Sequence, residues 1–306
     1  MSLKMSKNLI VIVGPTGVGK TSAGIEIAKY FSTEIVSADS RQIFRELSIG
    51  TAIPSPEELS SVKHHFIHSH SIHEIYNASR YEHEALELLN RLFQKYDTVV
   101  MVGGSMLYID AVCKGIDIMP DTDPEIRQHL KNRLAAGEME SLRRQLKKLD
   151  PEYYLKVDLK NHARIIHALE ICLTTGKTYS SFLTNPNKTR PFGIIKIGID
   201  TDRARLHDLI NRRVDKMIER GLENEARRVY KHKGLTSLNT VGYREWFDCF
   251  DGKTTREDAI GFIKRNSRRY ARKQLTWFRN DKTITWFEPH QLNEIITFTE
   301  RKISKK

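Results

Sequence analysis

The sequence predicts an α/β protein in which a parallel sheet with helices on both faces carries an all-helical insertion. Three observations lead there. Short apolar runs alternate with segments of helical periodicity from the N-terminus to about residue 120. A glycine-rich loop joins the first apolar run to the first helical pattern. From about Asp121 to Pro191 only helical patterns occur, before an apolar run returns at Phe192.

Asn8 to Val13 reads as a buried strand, and Gly14 to Gly19 as a loop. Lys20 to Phe31 follows with Ile25, Ile27, Ala28 and Phe31 on or near one face of a helix. "EIVSAD" gives a second strand ending at Asp39. Asn77 to Tyr96 is a long helix with Ala85, Leu88, Leu89 and Leu92 as its apolar stripe. "DTVVMV" is a third strand, stopped by Gly103 and Gly104. The insertion opens with a helix whose N-cap is Asp123, with Pro124 in the first turn and Gly137 past the end. After it come a strand at Phe192 to Asp200 and helices at Arg203 to Gly221, Glu223 to Lys231 and Arg256 to Arg279. A short strand, "TITWF", and a terminal helix close the chain. The expected division is therefore a core of residues 1–120 and 192–306 and an insertion of residues 121–191.

At 306 residues, with 39% apolar and 29% charged side chains, the composition is that of a globular protein of one or two domains. No apolar stretch approaches the ~18 residues of a membrane span, and the N-terminal apolar run is too short for a signal peptide. A cytoplasmic protein with no membrane partner is expected. The three cysteines, Cys113, Cys172 and Cys249, are far apart and predict neither a disulfide framework nor a zinc site. A formal net charge of +12 favours a polyanionic partner, nucleic acid first.

Gly14, Gly19, Lys20 and Thr21 fit G-x-x-x-x-G-K-[ST] in the strand–loop–helix setting that motif requires. Glycines let successive N–H groups turn toward one point, and the helix N-terminus adds its positive end. Gly14, Pro15, Thr16, Gly17, Val18, Gly19, Lys20 and Thr21 are thus the expected diphosphate cradle, with the Thr21 hydroxyl suited to Mg²⁺. The motif says that a diphosphate binds, not what reacts. The apolar run that would carry a metal-binding Asp in an ordinary ATPase ends here in Gly103-Gly104-Ser105. The nearest candidate carboxylate is Asp39, as a metal ligand, a general base or simply a turn residue.

The phosphate loop, "VSADSRQIFRELSIGTAIP" (Val36 to Pro54), "VGGSMLYIDAV" (Val102 to Val112), "NTVGYRE" (Asn239 to Glu245) and "RKQLTWFR" (Arg272 to Arg279) together resemble, in order and spacing, the tRNA dimethylallyltransferases. The resemblance runs from about Leu9 to Arg279. It implies a P-loop kinase-like core that moves a carbon group: a dimethylallyl chain passes from dimethylallyl diphosphate to the exocyclic amine of the adenine beside the anticodon. It implies Asp39 as general base, Arg213 as a diphosphate clamp, and Lys20, Thr21 and Mg²⁺ at the leaving group. It implies tRNA contacts at Asp39, Ser40, Arg41 and Gln42, at Ser105 and Arg127, at Ala163, Arg164 and His167, at Thr240, Gly242, Tyr243 and Arg244, and at Arg272, Lys273, Gln274, Trp277 and Arg279. Ser105 stands where the family usually has Thr, and His167 where it has a second Arg. The insertion is expected to clasp the anticodon stem-loop, and the enzyme to be a monomer.

The residues themselves support an RNA partner. Between Gly261 and Arg279 there are seven Lys or Arg and no Asp or Glu. Ile263, Tyr270 and Trp277 recur every seven residues and are expected to face the core. "HHFIHSHSIH" lacks partner cysteines and is not read as a metal site. Two other activities fit the phosphate loop: prenylation of a free adenine nucleotide, and a small-molecule kinase reaction. A non-catalytic RNA-binding protein is a third reading.

Overall fold

The computed structural model describes residues 7–117, 119–184 and 188–304. Among the described residues there are six strands: β1 (Asn8–Val13), β2 (Ile35–Ala38), β3 (His64–His65), β4 (Thr98–Gly103), β5 (Gly193–Ile199) and β6 (Thr285–Phe287). They form one sheet in the order β3-β2-β4-β1-β5-β6 with every pairing parallel. β1 is wholly buried. Leu9, Val11 and Val13 enter one apolar cluster with the helix α3 (Ala78–Leu92), and Ile10 and Ile12 enter another with α1 (Lys20–Tyr30). A strand covered on both faces is what its unbroken apolar run requires.

Short α2 (Pro56–Ser61) opens on a Ser55/Glu58 capping box, and α4 (Met106–Lys114) follows β4 directly. Four helices come next: α5 (Pro124–Ala135), α6 (Met139–Leu149), α7 (Pro151–Lys156) and α8 (His162–Thr175). The Asp123 side chain caps α5, accepting the Glu125 N–H. The described residues of Lys114–Lys188 form a compact unit of their own, cored by Leu130, Leu142, Leu146, Ile165 and Leu169. The remaining described residues form the other unit.

After β5 come α9 (Arg203–Glu219), α10 (Leu222–Val229), α11 (Arg244–Phe250), α12 (Arg256–Arg279) and α13 (Leu292–Ser304). The helices α9 to α12 pack around Trp246, Tyr243, Leu222, Val214 and Ile263, which join Ile43, Phe44 and Leu47 in a third cluster. The face that α12 buries is Ala259, Ile263, Ala271, Gln274 and Phe278. This corrects the seven-residue stripe read from the sequence: Ile263 is core, but Tyr270 and Trp277 are 36% and 40% exposed.

Candidate active site

β1 runs into the phosphate loop at the carboxyl edge of the sheet, where open parallel sheets bind ligands. Gly14 is required by close approach: a Cβ there would stand 2.2 Å from the Ile199 carbonyl of β5, at φ +149°. Gly19 begins α1 at φ +99°. Around this loop lies a chamber of about 240 Å³, walled by Thr16, Lys20, Thr21, Asp39, Gln42 and Arg213, among others. Ile35, Ala52, Pro54 and Val102 give it an apolar side.

A second chamber of about 270 Å³ is walled by Arg41, Gly50, Thr51, Met217, Thr240 and Arg244, among others. Thr16, Asp39, Arg213 and Tyr270 line both chambers. Asp39 therefore stands at their junction. Its Oδ1 accepts the backbone N–H of Arg41 (2.8 Å) and Gln42 (3.2 Å), which fixes the carboxylate in a tight turn just past β2.

The loop is braced from two helices. The Thr16 N–H donates to Gln274 Oε1 (2.8 Å), and Gln274 Nε2 donates to the Gly104 carbonyl (2.8 Å). Arg213 Nη1 donates to Thr16 Oγ1 (3.1 Å), and Lys20 Nζ to the Pro15 carbonyl (2.7 Å). Burial, reinforced by the Arg213 charge and opposed by Asp39, brings the Lys20 ammonium down to about 7. Burial likewise lowers Arg213, against the pull of Asp39. Two enclosed cations share one carboxylate, so the site is short of negative charge and is built to receive an anion.

The other residues named from the sequence are distributed as follows. The Ser40 N–H donates to Ser105 Oγ (2.7 Å), whose hydroxyl donates to Ser40 Oγ (3.0 Å). Arg41 Nη1 donates to the Ser237 carbonyl (2.9 Å), and Thr240, Gly242 and Arg244 line the second chamber. Arg272, Lys273 and Arg279 are exposed on α12, and Trp277 Nε1 donates to Asp110 Oδ2 (2.8 Å). Two residues that the resemblance names as tRNA contacts are enclosed. Tyr243 is 0% exposed and donates its hydroxyl to Glu225 Oε1 (2.7 Å), while Gln274 is 2% exposed with both ends of its amide engaged.

In the helical unit, Ala163 and Arg164 are exposed in the first turn of α8. Arg127 donates to both carboxylate oxygens of the buried Glu170, each at 2.9 Å, and His167 Nδ1 lies 3.5 Å from Glu170 Oε2. Arg127 is thus spent largely on holding α5 to α8. The histidines after α2 are engaged separately: His65 with Glu34, His64 with the Val62 carbonyl, His68 with Ser48 and Leu47, His70 with Ser69 and Glu84.

Two features escaped the sequence. Tyr270 belongs to both chambers, whereas its heptad spacing marks it as core. Glu225 is 1% exposed and carries a loop of the second chamber, whereas a Glu on a short charged helix reads as solvated.

A family model described as IPP transferase matches residues 42–281. The chain is 52% identical over 298 residues to tRNA dimethylallyltransferase 1 of Bacteroides fragilis, covering 97% of this chain and 99% of that one. It is 54% identical over 294 residues to tRNA dimethylallyltransferase 1 of Phocaeicola vulgatus, covering 96% and 98%. Among solved structures, the full-length tRNA isopentenylpyrophosphate transferase of Bacillus halodurans superposes with a TM-score of 0.72 at 35% identity, covering 98% of this chain and 97% of that one. A eukaryotic dimethylallyltransferase acting on tRNA superposes at 0.77 with 23% identity, over 97% and 77%, a likeness of fold. No helix among the described residues is long and apolar enough to cross a membrane. With a family match over most of its length and full-length relatives at half identity, this chain belongs to the tRNA dimethylallyltransferase family.

Proposed function

We propose that the protein transfers the dimethylallyl group of dimethylallyl diphosphate to the exocyclic amine of the adenine beside the anticodon of tRNA, as a cytoplasmic monomer. One observation carries this reading: the phosphate-loop chamber, hereafter the donor chamber, and the second chamber share a wall at which Asp39 and Arg213 stand together. A donor and an acceptor entering from the two sides meet at the carboxylate.

The diphosphate lies in the loop against the N-terminus of α1, with Lys20 and Arg213 as counter-charges. As the C–O bond to the diphosphate breaks, negative charge grows on the leaving oxygens, where these fixed donors stabilise it. The adenine amine is a weak nucleophile because its lone pair is delocalised into the ring. Its proton grows acidic as the new C–N bond forms, and Asp39, at the junction, accepts it. The isoprenoid chain occupies the apolar side near Ile35 and Val102.

The oxygen donor present suits Mg²⁺: the Thr21 hydroxyl, which lines the donor chamber, would hold the ion together with diphosphate oxygens and water. When bound, the ion supplies further neutralisation of the leaving diphosphate. Residues 121–191, with Ala163, Arg164 and His167, would clasp the anticodon stem-loop. The exposed arginines and lysine of α12 would hold its phosphates. Flipping the adenine out of the loop costs a few kcal/mol, least where it is already unpaired.

Incubation of labelled donor and Mg²⁺ with either unmodified tRNA or AMP, followed by nucleoside analysis, and a parallel assay of phosphoryl transfer from ATP test the reading. Label in isopentenyladenosine supports it. Label in AMP alone would move the activity to free nucleotides, and phosphoryl transfer from ATP would make the protein a kinase. Asp39→Ala should abolish turnover and leave tRNA binding near normal.

A further inference from the structure

Glu225 lies on α10, a helix that gives no residue to either chamber, yet its carboxylate is tied to the wall between them. Oε2 accepts the N–H groups of Ser48 (3.0 Å) and Ile49 (2.9 Å). Oε1 accepts the N–H of Gly50 (2.9 Å) and the hydroxyl of Tyr243 (2.7 Å). Three successive backbone N–H groups converge on one buried anion, the arrangement called a nest. Among the described residues Glu225 forms no salt bridge, so these four donors are what offset its burial.

The loop held in this way continues into the site. Gly50 and Thr51 line the second chamber, and Ala52 and Pro54 the donor chamber. Ala52 adopts φ +46°, a backbone conformation that a non-glycine residue keeps only where its surroundings impose it. The Thr51 and Ala52 carbonyls accept Gln42 Nε2 at 3.3 and 3.0 Å, and the Gln42 N–H donates to Asp39 Oδ1 at 3.2 Å. Hydrogen bonds, joined by the backbone of residues 48–52 and by Gln42 itself, thus link Glu225 to the carboxylate at the junction. On the other side Gly50 sits against the Tyr243 ring so closely that a Cβ would stand 2.7 Å from it.

We infer that Glu225 is a positioning residue for prenyl transfer: from outside the chambers it sets the wall at Gly50–Ala52 and, through Gln42, the aim of Asp39. The inference rests on the reading of Asp39 as proton acceptor. A misplacement of about 1 Å at a reacting group costs of the order of a hundredfold, so a positioning role shows in kcat. A purely structural role shows in stability and leaves the folded enzyme's kcat alone.

The test is Glu225→Gln, which keeps the size but turns an amide N–H toward donors. Expected is a kcat lowered by about tenfold or more, with the donor KM and the Kd for an anticodon stem-loop each within about threefold. Gln42→Leu alone should lower kcat, and the double variant should fall little further, because both act along one path. Multiplying effects, or a wild-type kcat for folded Glu225→Gln, would overturn the inference. Should that variant fail to fold, Gly50→Ala displaces the same loop from its opposite side, and wild-type kcat there overturns it equally. Asp39→Asn separates the two readings. An inactive Asp39→Asn beside a fully active Glu225→Gln sinks the positioning role alone. An active Asp39→Asn sinks the base, and Glu225→Gln then tests the chamber wall by the same kcat loss.

Discussion

Gln274, near the end of α12, accepts the Thr16 N–H at 2.8 Å and so ties the most basic helix of the chain to its phosphate loop. With the other end of its amide on Gly104, it joins the loops after β1 and β4. A contact 258 residues apart in sequence fixes the floor of the donor chamber.

Gln274→Leu leaves the Thr16 N–H and the Gly104 carbonyl without that partner in a buried place. Each orphaned group costs about 1–3 kcal/mol, so the unfolding free energy should fall by about 2–6 kcal/mol. The donor KM should rise with it, because the phosphate loop loses the brace that fixes its shape. Denaturant titration and steady-state kinetics check the pair. A lowered stability with an unchanged donor KM would confine Gln274 to a packing role.

Lys20 makes the site pH-dependent. Its folded value, about 7, lies below the ordinary lysine value of 10.5, because the ammonium is buried and Arg213 is near. The sign follows directly. Below about 7 both folded and unfolded chains hold the proton, and the folded state carries the full cost of a buried ammonium. Between 7 and 10.5 the unfolded chain holds a proton that the folded chain lacks, so this group's contribution to stability improves as pH rises through that window. An anion in the loop reverses the balance by holding Lys20 charged. Binding of a non-hydrolysable dimethylallyl diphosphate analogue should therefore take up a proton above pH 7 and weaken toward pH 9. Calorimetry in buffers of different ionisation heat measures the proton, and Lys20→Met should remove that part of the slope.

Much of this arrangement was legible where the signal is local. The buried run Asn8–Val13, the glycine loop, the Asp123 cap and the limits of α12 are set by residues close in sequence, and they stand where the sequence places them. β3 has two residues and no period to read, and α4 and α11 are too short to show one. The second strand of the reading order thus hides a third, and "DTVVMV" is the fourth. The second chamber was illegible because it is assembled from α9, the turn before α11, and α12. Tyr270 fell on the wrong side for a related reason. One face of α12 packs on its neighbours while the adjoining face borders the chambers, and a seven-residue spacing drifts around a straight helix instead of following either.

Gly14→Ala tests the close approach of the loop to β5. The new Cβ would meet the Ile199 carbonyl at 2.2 Å, and φ +149° disfavours any side chain. Backbone atoms on both sides must move, so the variant should lose at least about 1–3 kcal/mol of stability and most of its donor binding. Thermal unfolding and analogue binding check this. Gly19→Ala is a useful contrast: a Cβ there meets nothing within 4 Å, so only its φ of +99° is strained and the loss should be smaller.

The basic helix separates into engaged and available charges, and this division predicts salt dependence. Lys264 Nζ pairs with Asp215 at 2.5 Å, Arg279 with Asp200 at 2.6 Å, and Arg268 donates to Asn211 at 2.5 Å. Arg269, Arg272 and Lys273 are exposed, and none of them forms a salt bridge among the described residues. Each phosphate neutralised on a nucleic acid lowers the slope of log K against log salt by about 0.7–0.9. Arg269→Ala, Arg272→Ala and Lys273→Ala together should make that slope shallower by about 2 for an anticodon stem-loop, with similar losses for different loop sequences. The donor KM should not move, because none of the three lines the donor chamber. Lys264→Ala should leave the slope nearly unchanged, since its charge is already spent on Asp215. Fluorescence anisotropy across a salt series distinguishes the outcomes. Equal slopes for the triple variant and the wild type would mean that the RNA phosphates lie on another face.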